Sequence, residues 1–257
     1  MLELFDNAFS PFARKVRMAL SYKDLDYRSI DGLALSSRSE MLRVNPRGEV
    51  PVLVDGDACI VGSAQIVAYL DDIAPAPPLL PPSIGARARA RRWHELSDTA
   101  LDAIVHDASL WQWPTLSRTD SPPAGLVEDA MRDSHHILKV ADGQLVLPFL
   151  CGSLSIADIA LFPHVSALKF LGFQLATLPN VDAWFRRMRE VPCVAKDVLY
   201  LKGEAATVFS RQNREHYEST RVVWRGDRIE WLLANGYFDW FEREFREGRV
   251  IVPHVSS

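Results

Sequence analysis

"EVPVLVDGDACIVGSAQIVAYLDD", residues 49–72, carries the decisive pattern of the chain. Two short apolar runs flank Asp55-Gly56, a turn pair that predicts a β-hairpin. The spacing then changes to that of a helix, opened by Ser63 in "SAQIVAYLDDIA". Toward the N-terminus, "LELF" (2–5) reads as a strand, and Pro11 to about Tyr22 as a helix with Phe12, Val16, Ala19 and Leu20 on one side. Ser10 is its expected N-cap, with Arg14, Lys15 and Arg17 as a solvated face. "LDYRSID" (25–31) alternates as a second strand, and "SSRSEMLRVNP" (36–46) is a short helix stopped by Pro46. The order β-α-β-α-β-β-α predicts an α/β unit over residues 1–74.

"PAPPLLPP" (75–82) follows, with five prolines in eight residues, which neither a helix nor a central strand tolerates. It predicts a linker. Beyond it the pattern is helical. One long segment runs from Gly85 to the break at Pro114, and "GLVEDAMRDSHHILKVA" is a second. In "LSIADIALFPHVSAL", Ser155 and Asp158 fit a capping box, and Leu154 and Ile159 the hydrophobic staple. "NVDAWFRRMREV" is ended by Pro192. The predicted division is 1–74, 75–82, 83–200 and a C-terminal extension, 201–257. The extension holds two short helices with glycine stops, "DRIEWLLANG" and "DWFEREFREG". About 55 residues without a cysteine are too few for a comfortable core of their own. Trp224, Trp231, Trp240, Phe241 and Phe245 therefore predict docking on the helical part, against 100–115 or 160–175.

The 257 residues carry a formal net charge of -4, and no charge field favours nucleic acid. No apolar run approaches the roughly 20 residues of a membrane span, and "MLELFDNAFS" does not read as a secretory signal. Cys59, Cys151 and Cys193 are scattered and odd in number; they read as reduced, mostly buried and cytoplasmic, with no metal site. His135-His136 point about 100° apart on a helix and cannot chelate as a pair. Asp98 and Asp102 share a helix face and read as a charged surface beside Arg91 and His94. Arg225-Gly226-Asp227 reads as a helix lead-in.

"SPFARKV" (10–16), "NPRGEVPVLVDGD" (45–57), "GSAQIVAYLDD" (62–72), the proline linker and the "SIAD" cap, in this order, resemble the cytosolic glutathione transferase family over roughly residues 1–200. The first helix looks most like the serine-type tau and zeta classes; the omega class has a cysteine where this chain has Ser10. The resemblance implies a thioredoxin-like N-terminal domain followed by an all-helical C-terminal domain, α/β plus all-α. It implies a cis Val50-Pro51 bond that presents the Val50 backbone to glutathione, and Ser63 as holder of the γ-glutamyl carboxylate. Where the family has Glu or Gln, this chain has Gly62, so Arg38, Gln65 or a partner-chain residue would have to compensate. A homodimer acting on a small apolar electrophile is implied, with Phe12, Leu101, Ile104, Val105 and Trp111 as pocket candidates.

Ser10 would then be the catalytic residue, with Asn7 as the alternative donor. A free thiol titrates near pH 8.5. Lowering that by about two units needs about 2.7 kcal/mol of preference for the anion. One hydrogen bond to a charged group contributes about 1.5–3 kcal/mol, and a helix N-terminus about 0.3–1 kcal/mol more. One hydroxyl is enough. Two other readings stand beside this one: a ligand-binding or protein-interaction module with activity lost, and a thiol-disulfide oxidoreductase. Serine argues against the second, because it cannot form a mixed disulfide.

Overall fold

The computed structural model describes residues 1–113, 115–145, 148–208, 217–218 and 220–252. A four-stranded sheet has the order β2-β1-β3-β4, from β1 (Leu2–Asp6), β2 (Tyr27–Asp31), β3 (Val52–Asp55) and β4 (Ala58–Val61). β1 and β2 are parallel; β3 runs antiparallel to both β1 and β4. Alternation along the strands sends Leu4 and Leu53 to one face, against Val16 and Leu20 of α1 (Pro11–Tyr22) and Ile66 and Leu70 of α3 (Ser63–Ile73). Phe5 and Val52 face the other way, onto Met41 of α2 (Arg38–Val44).

Two starts differ from the sequence reading by a residue or more. The second strand begins at Tyr27, and the helix before Pro46 is preceded by a short 3₁₀ turn, Leu35–Ser37. α3 opens at Ser63 as expected, with Gly62 at the cap position.

The proline-rich stretch 75–82 runs without helix or strand to α4 (Ile84–Leu96). The long helix expected up to Pro114 is interrupted. A π turn, Ser97–Leu101, separates α4 from α5 (Asp102–Ser109). Its cause is local. Ser97 donates its hydroxyl to the Trp93 carbonyl and Thr99 donates to that of Glu95, loosening the ladder where it widens. α6 (Leu126–Gln144), α7 (Ile156–Phe170) and α8 (Pro179–Met188) follow. Pro192 does not merely stop a helix; it opens the next, α9 (Pro192–Val208), at the first-turn position where proline is favoured. α7 begins in the expected capping box. The Asp158 carboxylate accepts from the Leu150 N–H, the Ser155 N–H and hydroxyl, and Trp184 Nε1.

The solvated face assigned to α1 is not there. Arg14, Lys15 and Arg17 are all buried, because the sheet covers one side of α1 and α7 and α9 the other. Burial of three cations requires partners. Asp197 of α9 takes Arg14 and Arg17, Asp6 takes Arg17, and Asp98 takes Lys15. Met18 carried the signal: it lies between Arg14 and Lys15 around the helix and is fully buried.

Of the extension, α10 (Gly226–Ala234) and α11 (Phe238–Arg246) lie between two short paired strands, β5 (Val222–Val223) and β6 (Val250–Ile251). Gly236 and Gly248 end the helices at positive φ. Trp224, Leu232, Tyr237 and Trp240 pack with Ile104, Ala108, Leu110, Leu126 and Ala130 in a second hydrophobic core.

Asp158→Ala should remove about 3 kcal/mol of stability, since it strands several buried donors at once. A urea titration at neutral pH measures this; a loss below 1 kcal/mol would contradict the central place given to that carboxylate.

Candidate functional site

Strand register gathers the site. Phe5 pairs with Val52, and Val52 with Val61. The loop after β1 (Asn7–Phe9), the Val50-Pro51 peptide and Gly62-Ser63 therefore lie at the same end of the strands. Val50-Pro51 is cis. The Gly62 N–H donates to the Pro51 carbonyl at 3.3 Å, tying the start of α3 to that turn. The first backbone N–H groups of α3 have no partner within the helix and stand beside the buried Ser63.

Ser10 caps α1: its Oγ accepts from the Ala13 N–H at 3.3 Å. Among the described residues that is its one side-chain bond, which leaves the O–H proton able to donate outward. Asn7, the alternative donor, is committed elsewhere. Its Oδ1 accepts from the Phe9 N–H and its Nδ2 donates to Asp31, which also receives the Tyr217 hydroxyl. It lines a small polar cavity with Asp6, Ser29, Asp31 and Tyr200.

Gly62 has φ +92°, a region L side chains rarely occupy. A Cβ there would lie 2.5 Å from Gln65 Oε1, so the Gln65 carboxamide fills the space that a side chain at 62 would enter. Arg38 stands exposed in the first turn of α2. Ala64 lines an open cavity of about 250 Å³ with Arg91, His94, Glu95, Asp98 and Thr99.

The five expected pocket residues do not share one open wall. Leu101 and Val105 are sealed in the main core. Ile104 and Trp111 pack under the extension, which supplies the aromatic partners an empty pocket would lack. Phe12 is half-buried at the mouth of α1 and meets charge instead. Lys15 Nζ lies 5.6 Å and Arg225 Cζ 4.8 Å from its ring centroid, and His164 stands edge-on at 6.2 Å.

Those groups belong to a polar network that sequence reasoning assigned to surface. Lys15 Nζ lies 2.6 Å from His94 Nε2 and is bonded to Asp98. Burial pushes the Lys15 ammonium below its usual range; burial also opposes charge on Asp98, but Lys15 holds that carboxyl below the usual carboxylate range. Asp102 is 2% exposed. It accepts from Arg225 at 2.7 Å and Arg228 at 2.9 Å, with His164 Nε2 at 3.4 Å. Against the penalty of burial, Arg228, His164 and Arg225 hold its carboxyl far below the usual range. The available signal was composition: Asp102 sits among Leu101, Ala103, Ile104 and Val105, too apolar a run for a solvated face. The RGD triplet does lead into a helix, with Arg225 at the cap position of α10. Of the cysteines, Cys59 is exposed, Cys151 half-buried and Cys193 buried, so "mostly buried" does not hold.

Among the described residues no group of three or more acidic, histidine or cysteine side chains could hold a metal, and no helix is long and apolar enough to cross a membrane.

Asp102→Ala leaves Arg228 without its anion and Arg225 with Asp227 alone, and breaking a buried pair of this kind typically costs about 3–5 kcal/mol. The expected result is lower stability and rapid proteolysis between α9 and α10. Unchanged protease resistance would show that the extension is held by its aromatic core alone.

Residues 4–78 match the glutathione S-transferase N-terminal domain and residues 124–187 the C-terminal domain of that family; neither match reaches the extension. Glutathione S-transferase Z2 of Arabidopsis thaliana is 46% identical over 90 residues, 34% of this chain and 40% of that protein. A rice (Oryza sativa subsp. japonica) protein named probable glutathione S-transferase GSTU1 is 31% identical over 217 residues, covering 76% of this chain and 88% of its own. A crystal structure of a glutathione S-transferase from Methylobacillus flagellatus with glutathione bound superposes with a TM-score of 0.66 at 25% identity, covering 77% of this chain and 98% of the other. This chain belongs to the glutathione S-transferase family.

Proposed function

We propose that this chain binds glutathione, activates its thiol through Ser10 and transfers the thiolate to a small electrophile with an apolar face. The observation that carries the reading is the Ser10 hydroxyl at the mouth of α1, its lone pair used by Ala13 and its proton free to donate. In this reading Ser63 and the first turn of α3 hold the γ-glutamyl carboxylate, and the Val50 backbone pairs with the cysteinyl part. Gln65 stands in for the missing side chain at Gly62, and Arg38 offers a cation from α2.

The chemistry is then short. Glutathione binds with its sulfur facing Ser10, and the hydroxyl hydrogen bond with the α1 dipole favours the thiolate. The thiol proton leaves to water. Sulfur attacks the electrophilic carbon beside Phe12, a C–S bond forms, and the leaving group departs with its electron pair. Holding both reactants in this geometry supplies the rest of the acceleration. Ser10 acts as a donor and not as a nucleophile, so it needs no neighbouring base.

The division of labour we propose is glutathione on residues 1–74, a linker at 75–82, the electrophile side on 83–200, and a cover from 201–257. The working form we propose is a cytoplasmic homodimer, in keeping with three unpaired cysteines and family membership.

Ser10→Ala should lower turnover of a generic aryl halide by about ten- to a thousand-fold, the equivalent of about 1.5–4 kcal/mol of anion stabilisation. Glutathione affinity should change little. The ultraviolet thiolate band of bound glutathione, titrated against pH, decides the matter: equal apparent pKa values in wild type and Ser10→Ala would leave Ser10 as an N-cap only.

A further inference from the structure

Arg225 reaches the proposed electrophile site from outside both family domains. Its guanidinium lies over Phe12, two residues beyond Ser10. Nε and Nη2 grip Asp227 at 3.2 and 2.7 Å, and Nη2 also donates to the Asp98 carbonyl at 3.0 Å and to Asp102 at 2.7 Å. Nη1 has no acceptor among the described residues, and 22% of the side chain is exposed. A guanidinium held at three points with one edge open is preorganised for a ligand. It loses no further rotamer freedom on binding, and its planar edge suits a carboxylate.

Glu49, beside the cis Val50-Pro51 peptide, lies within electrostatic reach of Arg225, but its carboxylate is already taken by Arg47 at 2.5 Å. Among the described residues no carboxylate is bonded to Arg225 Nη1, and that nitrogen is left over beside Phe12.

We propose that Arg225 is the specificity-determining residue of the electrophile site and selects electrophiles that carry a carboxylate next to an apolar body. This rests on the glutathione reading above. Phe12 takes the apolar body and Arg225 Nη1 takes the carboxylate. A phosphate dianion fits poorly, because the Asp102 and Asp227 carboxylates already hold the other nitrogens of the same guanidinium and would repel the second charge.

The test compares two conjugates by calorimetry, S-benzylglutathione and S-(4-carboxybenzyl)glutathione. Wild type should bind the carboxylated conjugate about ten-fold more tightly, the ratio expected for one added charge-assisted hydrogen bond. Arg225→Gln should abolish that preference, and Arg225→Lys should keep part of it. Arg228→Gln is the control: it removes the other arginine of the Asp102 clamp, and it should leave the wild-type ratio in place. If wild type binds both conjugates equally, or Arg228→Gln erases the ratio as fully as Arg225→Gln, the assignment is overturned while the glutathione site stands. If neither conjugate binds wild type, the glutathione reading itself fails and the assignment with it. Should Arg225→Gln not fold, the wild-type ratio and the Arg225→Lys variant still decide.

Discussion

One buried carboxylate organises the contact between the family fold and its extension. Asp102 lies at the start of α5, enclosed by α7 and α10, and faces two arginines and a histidine. An isolated charge in that position would be costly by many kcal/mol, so the carboxylate exists there only because the arginines do. The dependence runs both ways. Arg225 and Arg228 stand on the first turn of α10 or just before it, where the helix dipole is unfavourable to cations. Asp102 offsets that and fixes where α10 begins. The hydrophobic core of Trp224, Leu232, Tyr237 and Trp240 then closes over α5 in one register.

Much of the frame was legible because its signals are local. A hairpin turn at Asp55-Gly56, a proline run that no helix accepts and a capping box at Ser155 each act over a few residues. Their order in the chain was enough to suggest the family. What failed to be legible depends on pairs distant in sequence. Lys15 and Asp98 are 83 residues apart, and Asp102 and Arg225 are 123 apart. Read singly, each is a charged residue on a helix, for which a solvated face is the ordinary expectation. The π turn at Ser97–Leu101 was missed for a related reason: serine and threonine back-bonding leaves the apolar spacing nearly intact while it widens the helix. The two short strands of the extension need each other and have no local mark at all.

Gly62 shows how a departure from a family pattern can have a conformational cause. The chain must turn from β4 into α3 while the Gly62 N–H bonds the Pro51 carbonyl, and it does so at φ +92°. A glutamate or glutamine would be strained there by about 1–3 kcal/mol. Glycine accepts the turn, and the volume it vacates is filled from one helical turn further on by Gln65. A polar group is thus still present at the start of α3, as a carboxamide from position 65. Adding a side chain at 62 would displace that carboxamide rather than complement it.

The charges around Phe12 form a nearly neutral set, which matters for what can bind there. Lys15, Arg225 and Arg228 face Asp98, Asp102 and Asp227. Neutrality lets the set be buried, but it does not make the field uniform. Asp102 is buried among the helices, and Arg225 Nη1 is left without an acceptor among the described residues. A dipole of this kind attracts an anion at one end without placing a bare charge in the core. The thiolate proposed at Ser10 and a carboxylate on its target would both be negative, and two anions brought together in one cleft repel. A cation fixed between them by the extension relieves that repulsion only while the extension is docked. The same clamp that holds α10 on the fold would therefore set the field in which the thiolate meets its electrophile.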